Sequence, residues 1–179
     1  MSAGHHLILG GARSGKTSLG EKLALHYGVR PAYLATAEAL DHEMRERVAT
    51  HQRTRASHFV TIEEPLDLAG AIRMAAPRHD VILVDCLTLW ISNLLGRNIG
   101  VAGAVEALAE TLIGLADTRV IMVSNEVGLG IVPDNALART FRDLTGATHQ
   151  RLAEICDTVL FVAAGLPLAM KGHLPDWEQ

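Results

Sequence analysis

HLILGGARSGKTSL, residues 6–19, decides how the chain is read. An apolar run, His6 to Leu9, enters a loop containing Gly10, Gly11 and Gly15, and Lys16 and Thr17 then open a segment of helical period. The spacing fits G-x-x-x-x-G-K-[ST], with a strand before it and a helix after it. Glycines allow such a loop to wrap inward, so that the backbone N–H groups of residues 10–17 face phosphate oxygens. The helix that follows adds partial positive charge at its N-terminus. Lys16 is expected to reach the β- and γ-phosphates, and the Thr17 hydroxyl to join a Mg²⁺ shell. Arg13 either stays in solvent or touches phosphate.

Outward from this loop, apolar runs alternate with helical stretches. HLILG (6–10), PAYLATA (31–37), VILVDC (81–86), VIMVSN (120–125) and TVLFVAAG (158–165) read as strands, with HFVTIEE (58–64) as a further short one. Helices are expected near 16–27, 38–56, 65–75, 101–116 and 136–155. Several of the strands are apolar almost throughout, as strands are when helices cover both faces of a parallel sheet. This predicts a P-loop NTPase-like, three-layer α/β fold with a mainly parallel sheet, and one domain over residues 1–179.

Ligands in such sheets collect beyond the carboxyl ends of the strands. Four clusters fall there: the loop from Gly10, Ala35 with Thr36 and Ala37, Asp85 with Cys86, and Ser124-Asn125-Glu126. Asp85 closes an apolar strand, the usual second half of a Mg²⁺–triphosphate site, and either holds the metal or orients an attacking hydroxyl. Thr17 and Asp85 are therefore the expected metal positions.

Composition narrows the classes. Apolar residues make up 49% of the 179 and aromatics 4%, so the core is built from aliphatic side chains. The net charge of −4 provides no general affinity for nucleic acid. No run approaches the ~20 apolar residues of a membrane span, and the N-terminus lacks the pattern of an export signal. Cys86 and Cys156 form neither a disulfide framework nor a zinc-type pair, and a cytoplasmic setting is expected.

Two further segments carry candidate chemistry. In the helix expected over 38–56, Leu40, Met44, Val48 and His51 share one face. His51 is there either as a hydrogen-bonded boundary histidine or as a nucleophile or base facing the triphosphate, flanked by Arg47 and Arg55. Glu63 and Glu64 either orient that ring, bind metal, or simply start the next helix. SNEVGLGIVP (124–133) is long and apolar for a turn, and suits a loop that covers a substrate or packs against another subunit. In the helix after it, Arg139 and Arg142 share a face and either bind phosphate or pair with neighbouring acids.

GGARSGKT, YLAT, DHEMRERVATHQRTR, EEP, VDCLTLWISNLL, VSNEVGLGIVP and LARTFRDLTG occur in this order. Together they resemble the bifunctional adenosylcobinamide kinase / adenosylcobinamide-phosphate guanylyltransferase family, from Leu7 to about Gly172. The phosphate loop is common to many families; VSNEVGLGIVP with FRDLTG is far more specific. The resemblance implies phosphorylation of adenosylcobinamide with ATP or GTP, then transfer of GMP from GTP to that phosphate. It also implies a guanylylated histidine in R-x-x-x-H-x-x-x-R, here Arg47, His51 and Arg55, and a homotrimer. Nucleotide contacts would come from Gly10, Gly11, Ala12, Arg13, Ser14, Gly15, Lys16 and Thr17, from Ala35, Thr36 and Ala37, from Gln52, Arg53, Thr54 and Arg55, and from Glu63 and Asp85. The catalytic set would be His51, Lys16 and Asp85. One departure is Ala56, where the family commonly has proline.

Overall fold

The computed structural model describes residues 4–38 and 58–174. His51, Gln52, Arg53, Thr54 and Arg55 lie outside the described residues, as does the helix expected over 38–56 beyond its first residue.

The elements in chain order are β1 (His6–Gly10), α1 (Lys16–Tyr27), β2 (Pro31–Ala35), β3 (Val60–Glu63), α2 (Leu68–Ala75), β4 (Val81–Asp85), α3 (Leu87–Gly96), α4 (Val101–Gly114), β5 (Arg119–Asn125), α5 (Ala136–Ile155), β6 (Thr158–Ala163) and β7 (Leu166–Lys171). The strands form one seven-stranded sheet in the order β3-β2-β4-β5-β1-β6-β7. All pairs are parallel except β6 with β7, an antiparallel hairpin at one edge.

Why the strands read as unbroken apolar runs is visible in the core. Alternate residues of each inner strand enter different clusters. Leu7 and Leu9, Ile82 and Val84, and Val120 and Met122 join one core with α2, α3, α4 and α5. Their neighbours Ile8, Leu83, Ile121 and Val123 join the other, with Leu19, Leu23 and Ala24 of α1. Burial on both faces removes the polar half of the usual period-two pattern. α1 approaches the sheet closely at Gly20, where a Cβ would stand 2.9 Å from Leu83 Cδ1.

Two elements depart from expectation. LTLWISNLLG is apolar almost throughout and follows β4 after only Asp85 and Cys86, which hides its helical period, yet it forms α3. Its buried residues Leu87, Thr88, Trp90, Ile91 and Leu94 lie on one helical face. β7 is also additional: its side chains are largely exposed, and only pairing to β6 makes it a strand. Elsewhere differences are confined to element ends. α2 begins after Asp67, whose Oδ1 accepts the Gly70 N–H at 2.9 Å, rather than at Pro65.

Candidate functional site

The parallel register aligns the carboxyl ends of the strands. Gly10 is level with Asn125, and Ala35 with both Glu63 and Asp85. The four polar clusters expected at this edge therefore share one rim.

In the phosphate loop two glycines are required by geometry. Gly10 has φ +153°, and a Cβ there would stand 2.3 Å from the Val162 carbonyl oxygen of β6. Gly15, at φ +102°, lies against Gly165 in the β6–β7 turn, whose N–H donates to Ser14 O at 2.8 Å. The edge hairpin thus braces the loop from behind. Gly11, Ala12 and Arg13 stand exposed, and Arg13 adopts φ +55°. Lys16 is buried and folds back, its Nζ donating to Gly11 O at 2.5 Å and to Ser14 Oγ at 3.4 Å. Burial lowers its pKa, against the pull of Cys86 and Asp85. The loop is closed around its own cation, in a position where phosphate oxygens would replace two weaker acceptors.

Thr17 and Asp85, 68 residues apart, meet here: Thr17 Oγ1 donates to Asp85 Oδ2 at 3.0 Å. Tyr33 OH donates to the same oxygen at 2.5 Å. A hydroxyl and a carboxylate below a phosphate loop are hard oxygen donors, which suits Mg²⁺. No group of three or more His, Cys, Asp or Glu among the described residues forms a metal cage.

Thr36 is fully buried and ties β2 to β4. Its hydroxyl donates to Cys86 O at 2.7 Å and accepts the Cys86 N–H at 2.8 Å, while its own N–H donates to Asp85 O at 3.1 Å. This stitch holds the strand end that carries Asp85, so its hydroxyl is already engaged. Asn93 of α3 adds a donor to Thr36 O at 2.8 Å. Glu64 is also committed, since its Oε1 accepts the N–H groups of Leu66 and Asp67, each at 2.9 Å. Glu63 ends β3, four strand positions from β1 and so roughly 19 Å away at the usual interstrand spacing. It belongs to the far end of the rim, not to the phosphate loop.

Tertiary packing adds a cluster that the sequence reading did not assemble. At the end of β5, buried Ser124 lies 2.7 Å from His149 Nε2 of α5 and 3.1 Å from Thr88 Oγ1 of α3. Thr88 Oγ1 also accepts the Asn125 N–H at 2.7 Å. His149 Nδ1 faces Glu126 Oε2 at 3.8 Å, and burial lowers the imidazole pKa against the pull of that carboxylate. The polar strand end signalled Ser124 and Glu126, but nothing local pointed to His149. Arg139 and Arg142 are each engaged locally. Arg139 donates to Pro133 O and Asp134 O at 2.8 and 2.7 Å, closing the 124–133 loop onto α5, and Arg142 pairs with Asp143 at 2.9 Å.

Comparison with known proteins identifies the family and the fold. The model of one family, described as cobinamide kinase / cobinamide phosphate guanyltransferase, matches residues 6–170. The bifunctional adenosylcobalamin biosynthesis protein CobP of Pseudomonas aeruginosa is 49% identical over 169 residues, covering 93% of this chain and 97% of that protein. The corresponding CobU protein of Salmonella typhimurium is 36% identical over 179 residues, covering 92% and 98%. Among solved structures, a KaiC-like protein from Pyrococcus horikoshii superposes with a TM-score of 0.56 at 15% identity, covering 96% of this chain and 80% of that one. The RadB recombinase superposes with a TM-score of 0.51 at 17% identity, covering 89% and 74%. These two likenesses concern the fold alone.

Proposed function

The chain belongs to the cobinamide kinase / cobinamide phosphate guanyltransferase family, and from that premise we propose that one nucleotide site serves two displacements at different phosphorus atoms. In the first, the hydroxyl of adenosylcobinamide attacks the γ-phosphorus of ATP or GTP and the nucleoside diphosphate leaves. In the second, neutral His51 attacks the α-phosphorus of GTP, and pyrophosphate departs along the loop. The phosphate made in the first reaction then attacks guanylylated His51, releasing the imidazole and giving adenosylcobinamide-GDP. Two displacements at one phosphorus predict retention of configuration there and ping-pong kinetics.

The observation that carries this reading is the Thr17–Asp85 contact of 3.0 Å beneath a loop that already wraps the Lys16 ammonium. Lys16 and the loop N–H groups would offset charge on the transferred phosphoryl group. Thr17 and Asp85 would hold Mg²⁺, which would supply charge neutralisation for the triphosphate. Nucleotide contacts are assigned to Gly10 through Thr17, Ala35 to Ala37, Glu63 and Asp85, and to Gln52 through Arg55 beside His51. Thr36 would contribute through its backbone, given the state of its hydroxyl. We assign the chain one catalytic domain, a cytoplasmic setting where its nucleoside triphosphates are made, and a homotrimeric state, which sedimentation would register as three times the chain mass. Exposed Leu129, Ile131 and Val132 in the 124–133 loop supply apolar surface for such packing.

Covalent labelling tests the reading. With Mg²⁺ and GTP labelled at the α-phosphorus, acid-labile label is expected to stay on the denatured polypeptide, and to be absent in His51→Ala or with γ-labelled GTP. A protein that binds GTP but takes up no α-label would remove the transferase half and leave a simple kinase.

A further inference from the structure

β5 lies directly between β1, which carries the phosphate loop, and β4, which carries Asp85. Its tip therefore emerges between the two halves of the triphosphate site. Glu126, the first residue beyond the strand, is anchored there by its N–H, which donates to Gly10 O at 2.9 Å. Its side chain stays 22% exposed at this rim. One carboxylate oxygen, Oε1, accepts the Gly128 N–H at 2.6 Å, which fixes the group in the loop. The other, Oε2, is 3.8 Å from His149 Nδ1, beyond hydrogen-bond length, and retains lone pairs for a further donor.

Among the described residues, the other carboxylates of the rim are engaged or remote. Asp85 Oδ2 already accepts two hydroxyl donors and is the metal position in the functional reading. Glu38 pairs with Arg97, and Glu64 caps the turn into α2. Glu63 lies on the edge strand β3. Behind Glu126, His149 is buried at 6% exposure and is held in turn by Ser124 and Thr88. One polarity that satisfies these contacts has Thr88 accept from the Asn125 N–H and donate to Ser124, and Ser124 donate to His149 Nε2, which would put the ring proton on Nδ1, the nitrogen facing Glu126. Burial favours the neutral imidazole that this arrangement needs.

We propose that Glu126 accepts the proton of the attacking hydroxyl in the kinase reaction, and that His149, fixed by Ser124 and Thr88, positions its carboxylate. This rests on the two-reaction reading above. In the step, the substrate oxygen forms its bond to the γ-phosphorus, and the bond from that phosphorus to the β-bridging oxygen breaks. The electron pair leaves on the nucleoside diphosphate. The hydroxyl proton moves to Glu126 and is lost to water on product release. The guanylyl transfer does not call on Glu126, because its acceptor is a phosphate that carries no proton to remove.

The two reactions can be measured separately: phosphoryl transfer from γ-labelled ATP to cobinamide, and guanylyl transfer from α-labelled GTP to cobinamide phosphate supplied directly. Glu126→Gln keeps the Oε1 contact to Gly128. It is expected to lower the kinase kcat about 100-fold, with the nucleotide KM shifted less than about threefold and the transfer far less affected than the kinase. His149→Leu is expected to lower the kinase kcat about tenfold, and His149→Gln, which keeps a donor and an acceptor, to recover most of it. A Glu126→Gln protein whose kinase kcat stays within threefold of wild type overturns the proposal, as does an equal fall in both reactions. Wild-type protein that guanylylates itself but transfers no phosphate to cobinamide refutes the kinase half of the functional reading, and this assignment with it.

Discussion

Lys16 sits at the point where loop geometry becomes chemistry. Its Nζ is buried and closes onto Gly11 O and Ser14 Oγ, so a bound triphosphate exchanges neutral acceptors for charged oxygens without moving the side chain far. Both proposed reactions pass charge to oxygens of the same nucleotide, so Lys16→Ala is expected to depress phosphoryl and guanylyl transfer together, by about 100-fold or more. A loss confined to one would separate the sites. Asp85 has a different signature. Asp85→Asn preserves an acceptor for Thr17 and Tyr33 but removes the charge expected to hold the metal. A Mg²⁺ titration of kinase rate should then show the half-saturating concentration raised about tenfold. An unchanged Mg²⁺ requirement would take the metal away from this pair.

At the scale of elements, α1 is held less by its sequence pattern than by contact. It has no side-chain N-cap, because Gly15 occupies that position in the left-handed conformation the loop needs. What fixes the helix is its approach to β4 and β5 at Gly20, where a Cβ would come within 2.9 Å of Leu83 and 3.3 Å of Val123. Gly20→Leu gains helix propensity of up to about 1 kcal/mol but must displace both strands' side chains. The overpacking is expected to dominate, giving a net loss of about 1–3 kcal/mol, read as a lower urea midpoint with unchanged slope. An equal or higher midpoint would mean that α1 stands off the sheet. α3 makes the complementary point about legibility. It follows β4 after only Asp85 and Cys86, and its identity as helix depends on Thr88, Trp90 and Asn93 finding partners on β5, at Leu66 and at Thr36.

Across the whole molecule, the end of the sheet opposite the site carries the pH dependence. His6, at the start of β1, is 3% exposed, and its Nδ1 has no hydrogen-bond partner within the described residues. Burial, with help from Arg119, pushes its pKa down to about 4. In the unfolded chain the same group titrates near 6.5. Between those values the unfolded state binds the extra proton, so stability is full above pH 6.5 and declines as pH falls towards 4, by about 3 kcal/mol in total. His5 and His149, both shifted down by burial, act in the same direction. Urea unfolding at pH 7 and pH 5 should show about 2 kcal/mol of this loss, and His6→Phe should flatten it. The same slope in that variant would assign the effect elsewhere.

How much of this was legible without coordinates follows from range in the chain. GGARSGKT determined a phosphate loop because its requirements are contiguous: glycines where φ turns positive, then Lys16 and Thr17 on the first helical turn. The apolar runs at 81–84 and 120–123 determined a sheet covered on both faces, because hydrophobic burial leaves its mark residue by residue. Asp85 could be matched to Thr17 in advance, since an acid closing an apolar strand is itself a local signal. Only the tertiary structure decided that β5 runs between β1 and β4, and so that Glu126 stands at Gly10 with His149, Ser124 and Thr88 behind it. Those four residues come from three elements and the loop after β5, and what joins them is strand order and helix packing, which depend on the free energy of the whole core and leave no trace in the spacing of any one segment.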